Sequence, residues 1–279
     1  MDRDELLARV LSLADEGDWD AAAEILRERL SEFDDDPAVH CWLGVAEGEL
    51  GLEGVAYERF KRALALDPVD PYVLATAGNG LAAFDDPDAE RALRTAALTA
   101  PDVPLGRLLY GAYLAREGYL DDALVELRAA RDLDEEDPQV AYELGAALAL
   151  AGRYDEAGDA LGDAVRLAPE DGWVRTVYGL VLLETERAEE AAGELAAGAR
   201  LSEEDVDAQI AAALAAGAIG SDAVAYEMLE RGRLRAVEGD LSLVTAAEDR
   251  LEAGPQAAAD MLGDELAPDM LRTRLRQRP

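Results

Sequence analysis

Cysteine, histidine and lysine each occur once in this chain of 279 residues, as Cys41, His40 and Lys61. A single cysteine excludes an internal disulfide. One histidine beside one cysteine cannot close a zinc site, which needs four ligands. A Cys–His nucleophile pair needs converging side chains, and neighbours on a helix point apart, so both read as packing residues. The chain also lacks a glycine loop ending in lysine that would cradle phosphates; Gly78-Asn79-Gly80 falls inside a helical pattern. No acidic loop has calcium-ligand spacing with a central glycine. These absences point away from an enzyme, and neither a metal nor any other cofactor is expected. The start, MDRDELLARV, has no basic-then-apolar leader, and no run of eighteen uncharged apolar residues follows. The reading is a cytoplasmic protein without membrane insertion.

Acid is what the chain has in excess: 61 Asp and Glu against 26 Lys and Arg, a formal net charge of -35. Half of the residues are apolar, which excludes a disordered polyelectrolyte. Such a surface repels nucleic acid and anionic membranes. The acids are spread along the whole chain rather than gathered in a tail, and almost every base is arginine. That combination matches the proteins of salt-in halophiles and suggests an archaeon. Molar salt shortens the Debye length to ~3 Å and screens such a surface. The alternative is an ordinary acidic protein from a GC-rich bacterium.

The second feature is a repeat. Pro37, Pro71, Pro104 and Pro138 are spaced 34, 33 and 34 residues apart. Counting each as the first residue of a unit, the seventh and eighth are Leu43-Gly44, Ala77-Gly78, Tyr110-Gly111 and Leu144-Gly145, and the register continues to Tyr178-Gly179. An alanine follows at positions 56, 89, 123, 157, 191, 225 and 259. Four residues later stand Phe60, Leu93, Leu127, Leu161, Leu195 and Leu229. Each half unit carries the i, i+3, i+4, i+7 apolar spacing of a helix. Gly17, Gly51, Gly118 and Gly152 fall at the turns, where positive φ is useful. Asp36-Pro37, Asp70-Pro71 and Asp137-Pro138 place a capping acid before a first-turn proline. The acidic clusters at 34–36, 134–137 and 203–205 read as caps and solvated joints, or else as an acidic edge for a basic partner. The ends are irregular: Arg9-Val10 replaces Leu-Gly in the first unit, and Gly263 stands where the last needs a large residue.

This pattern resembles the tetratricopeptide repeat, over essentially the whole chain. The resemblance implies an all-α, right-handed solenoid of about eight helix-turn-helix units, starting near residues 3, 37, 71, 104, 138, 172, 206 and 240 and running to 267. It also implies a non-catalytic scaffold or adaptor that binds a protein segment.

By the same resemblance, the second, fifth, sixth and ninth residues of each unit line a concave groove. Of the twenty such residues in the five units starting at 37 to 172, only Glu143 is charged, in a chain 31% charged. Leu108, Leu109 and Val177 read as core residues of that wall. Trp42, Tyr72, Tyr142 and Trp173 stand out as anchors, with Val45, Asn79, Leu105 and Glu143 beside them. Some family members clamp acidic chaperone peptides with lysine, asparagine and arginine. Only Asn79 matches here, so an apolar or amphipathic helix with some basic character is the better ligand.

Residues 268–279 form the basic segment, with Arg272, Arg274, Arg276 and Arg278 against Asp269. Leu271 and Leu275 share one helical face. Two roles are open. A cap would touch residues 240–266 and cover the end of the solenoid. A ligand would fill the groove of its own or a sister chain and reach Trp42, Tyr72 or Tyr142, making the protein a structural or self-associating subunit.

Overall fold

A computed structural model describes residues 1–277, and every regular element among them is helical. The chain divides into two compact units, Met1–Leu133 and Asp134 onward. The first holds four helical hairpins: α1 (Arg3–Asp15) with α2 (Trp19–Arg29), α3 (Pro37–Glu49) with α4 (Glu53–Ala65), α5 (Pro71–Ala82) with α6 (Asp88–Thr99), and α7 (Pro104–Arg116) with α8 (Leu120–Leu133). The second holds α9 (Pro138–Leu150) with α10 (Tyr154–Leu167), α11 (Gly172–Glu184) with α12 (Ala188–Leu201), and α13 (Val206–Ala218) with α14 (Asp222–Arg235). After these come α15 (Leu241–Ala253) and α16 (Pro255–Asp260), a π-helical turn (Met261–Leu266) and α17 (Ala267–Arg276). This is an all-α, tetratricopeptide-like helical-repeat solenoid.

Aspartate starts most of the first helices. The side chains of Asp36, Asp70, Asp137, Asp171 and Asp205 accept backbone N–H groups at the starts of α3, α5, α9, α11 and α13. Each satisfies donors that the first turn would otherwise leave unmade. Asp2 does the same for α1 and completes a capping box with Glu5. At the turns of the seven hairpins from α1 to α14 the backbone enters the left-handed region once per hairpin. Gly17, Gly51, Gly118, Gly152 and Gly220 hold that place, but Asp85 and Glu186 hold it in two units, at φ 53° and 58°.

In the five hairpins from α3 to α12 the eighth-position glycine lets the helices approach. A Cβ on Gly145 would lie 2.7 Å from Leu161 Cγ and 3.2 Å from its backbone nitrogen. Leu127 and Leu195 stand in the same relation to Gly111 and Gly179, and Phe60 is wedged between Gly44 and Gly80. Alanine and leucine fill the remainder; Leu93, Leu127, Leu161 and Leu195 are wholly buried.

Arginine links the helices of a hairpin where the surface allows. Arg107 reaches Glu126 at 2.7 Å and the Pro101 carbonyl at 2.9 Å. Sixty-eight residues later Arg175 repeats both bonds, to Glu194 at 2.6 Å and Pro169 at 2.8 Å. Glu47 is buried between Arg27 and Arg59, at 2.9 and 3.3 Å.

The last hairpin departs from the pattern. The helix after Gly254 begins at once with Pro255, whereas α10 and α14 begin two residues beyond Gly152 and Gly220. The register therefore slips by one, so Ala258 is buried where the repeat puts Ala259. α15 and α16 both pack on α13, and the π-helical turn follows. Gly263, at the place of the missing large residue, lies in that turn, where an added Cβ would meet no other side chain within 4 Å. The division expected after residue 267 thus falls within a helical run from Pro255 to Arg276.

Candidate functional site

In the first unit the inner positions split into two layers. Ala38, Cys41, Ala75, Leu108, Leu109 and Ala112 are buried between helices. His40 is buried too, its ring nitrogen 2.9 Å from the Asp34 carbonyl. Burial, reinforced by the charge of Asp70, pushes the Cys41 thiol up to about 12. It is thus no nucleophile at neutral pH, since the thiolate is the reactive form. The second layer is accessible. Trp42, Val45, Thr76, Asn79 and Leu105 are half-buried and Tyr72 is 56% exposed. α3, α5 and α7 pack side by side and supply all six. Trp42 also leans on the core of the first hairpin, so part of its ring belongs to the fold.

In the second unit the wall is covered. Tyr142 and Glu143 lie in the buried layer, 3% and 6% exposed, as do Thr176, Val177 and Leu180. The cover over part of this wall is the chain's own last helix, for α17 packs against α9 and α11. Met270, Leu271, Arg274 and Leu275 form its buried stripe. The Arg274 guanidinium sits 4.6 Å from the centre of the Trp173 ring, a cation–π distance. Its Nη2 donates to Asp205 at 2.5 Å, and the Trp173 indole N–H donates to the Tyr142 hydroxyl at 2.9 Å. A chain of three aromatic and charged groups thus runs from α17 to α9. Burial, with Asp205 close by, raises Asp207 above the usual carboxylate range, although Arg274 works the other way.

α15 and α16 lie on α13 and α14. α17 instead meets Trp173 and the helices that carry the inner positions. Arg272 pairs with Asp269 at 2.9 Å and Arg276 is exposed; Arg278 lies outside the described residues. The sequence marked the stripe of Leu271 and Leu275 but not Arg274 as its buried member; the i, i+3 and i+4 spacing to Leu271 and Leu275 was the available signal. It also missed Asp205 as more than a cap.

Among the described residues no group of three or more His, Cys, Asp or Glu is arranged to hold a metal ion, and no helix is long and apolar enough to cross a membrane.

No protein-family model matches the sequence, and no curated protein matches it. Solved structures do. One is the APC/C hetero-tetramer Cut9–Hcn1, with TM-score 0.71, 18% identity, and coverage of 87% of this chain and 48% of that one. This chain therefore spans about half of the length of that protein. TTC0263, a thermophilic tetratricopeptide protein of Thermus thermophilus, matches with TM-score 0.53 and 28% identity, over 64% of this chain and 98% of its own. PilF of Pseudomonas aeruginosa matches with TM-score 0.57 and 20% identity, over 71% and 91%. These likenesses establish the tetratricopeptide-like fold.

Proposed function

We propose that this chain is a non-catalytic scaffold that holds a segment of another protein on the inner wall of its first unit. The observation behind this reading is the accessible apolar and aromatic layer of Trp42, Val45, Tyr72 and Leu105, kept in a chain of net charge -35. A highly charged protein that leaves such a patch uncovered has a use for it, because exposed apolar area otherwise invites aggregation. Tyr72, with its flat ring and terminal hydroxyl, is the strongest anchor. Asn79 adds an amide beside it. The ligand that fits is an apolar or amphipathic helix with some basic character, since the chain that holds the wall is strongly acidic. The setting we infer is a halophile's cytoplasm, where molar salt screens those acids.

The test is crosslinking and pull-down from the source cells at native salt, with wild-type bait and with Tyr72→Ala. Tyr72 is exposed, so its truncation should alter stability by no more than about 0.5 kcal/mol. Loss of the recovered partner with the melting temperature unchanged supports the reading. Equal recovery by both baits overturns it. The second reading, a subunit whose groove takes a segment of its own kind, draws on the placement of α17.

A further inference from the structure

The wall of α9, α11 and α13 carries a seat whose present occupant is part of the same chain. Five residues of α17 meet it: Ala267, Met270, Leu271, Arg274 and Leu275, all buried and all on one helical stripe. Arg274 is 6% exposed, an unusual burial for a guanidinium. It is held by Asp205 on one side and the Trp173 ring on the other. The fit is nevertheless incomplete. Nη1 of Arg274 is buried and finds no acceptor among the described residues. A cavity of about 450 Å³ opens along one side of α17, beside Trp173, Asp205 and Asp207. Another of about 310 Å³ opens along the other, beside Leu150, Tyr154 and Glu184. Both clefts are open to solvent, so α17 lies in a surface seat flanked by grooves and is not enclosed on all sides. The six-residue π-helical turn that precedes α17 supplies a joint, since such turns are where helices bend and shift register. Upstream of the joint α16 is fixed on α13; downstream α17 lies on α11 and α9.

We propose that this seat is a docking site for an amphipathic helix bearing an arginine between leucines, and that α17 occupies it in cis until a partner helix of the same chemistry displaces it. Recognition divides in two. Leu271 and Leu275 present the apolar part, and Arg274 the cationic part. The acids of the wall select for a base and against the acidic helices that make up most of this chain. The residues differ from those of the first unit's wall, so either site can fail without the other.

The experiment uses the full chain in molar KCl and a fluorescein-labelled peptide of residues 265–277, ELAPDMLRTRLRQ, followed by anisotropy. The wild-type chain should bind it weakly, because the seat is filled. The variant Leu271→Asp/Arg274→Asp, whose own α17 is repelled by Asp205, should bind it about ten-fold or more tightly, since the fraction of open seats rises. Adding Asp205→Asn to that variant should remove the gain. Equal weak binding by the wild type and a variant with native circular dichroism overturns the proposal. So does a gain that survives Asp205→Asn. If the double variant does not fold, amide hydrogen exchange on the wild type decides. Exchange of residues 267–276 through an opening of their own, ahead of α9 and α11, supports a displaceable helix. Exchange in step with those helices makes α17 core and overturns it.

Discussion

At Glu186 the chain accepts a left-handed backbone on a residue that carries a Cβ. In five other hairpins that place belongs to glycine, which adopts positive φ without the ~1–2 kcal/mol steric cost. Glu186→Gly should therefore raise stability by about 1 kcal/mol, after the extra unfolded-state entropy of glycine is subtracted. Chemical denaturation measures it; no change or a loss would show that Glu186 is held by something other than the turn. Two further glycines separate packing from propensity. A Cβ on Gly193, in the middle of α12, would meet nothing within 4 Å. Gly193→Ala should stabilise by about 0.5–1 kcal/mol through helix propensity alone. Gly145→Ala has the same gain, but its Cβ would press on Leu161, and overpacking of about 1–3 kcal/mol outweighs it. Opposite signs for the two are the expected result. Gly145 was legible in the sequence because the five successive units from Pro37 to Gly172 each place a glycine there. Asp85 and Glu186 were not, because the eye follows glycine; only the count of 34 residues leads to them.

Among the elements, the beginnings of α6 and α13 respond to acid in opposite directions. Asp86 precedes α6. Burial would raise its pKa, but the Asp88 N–H, the Tyr57 hydroxyl and the Lys61 ammonium together hold it below the usual carboxylate range. Its folded value lies below its unfolded one, so it contributes stability above the unfolded value and loses it as pH falls through the folded value. Asp207 is raised in the fold by burial and by Asp205, so its protonation favours the native state as pH falls. Melting temperature followed from about pH 7 to pH 3, across the carboxylate range, should fall less steeply in Asp86→Asn than in wild type. It should fall more steeply in Asp207→Asn. Parallel curves for all three proteins would remove both assignments. The helical hairpins themselves were readable because caps, turn glycines and apolar period agree in each. α17 was read as a helix with an apolar face, but not placed. It follows the one-residue slip after Gly254 and the π-helical turn, and no local pattern announces either.

For the molecule as a whole, charge decides the conditions under which it folds. The 61 acids repel one another, and arginine pairs such as Arg107–Glu126 and Arg175–Glu194 relieve only some of this. Below about 0.1 M salt the Debye length exceeds ~10 Å, so more of these acids act on one another unscreened. Helical circular dichroism should therefore decline below roughly a few tenths molar KCl, as the screening length grows, and return in molar KCl. A signal unchanged from low to high salt would end the halophile reading. The accessible wall of the first unit was legible as an uncharged stripe. What the sequence did not reveal is that the corresponding stripe of the second unit is largely filled: the family resemblance put Tyr142 and Glu143 on the groove wall, yet both are buried.

The shortness of the π-helical turn sets how a competitor must behave. Six residues hold α17 beside its seat. A ligand on so short a tether acts as though present at a concentration on the order of millimolar. A free helix of equal affinity would need to approach that level before it took half of the seats. Partners that succeed are therefore of two kinds: those with affinity far above that of α17, and those brought alongside by a second attachment of their own. Dilute, weakly matched helices are filtered out, and occupancy climbs gradually with supply until it nears that level.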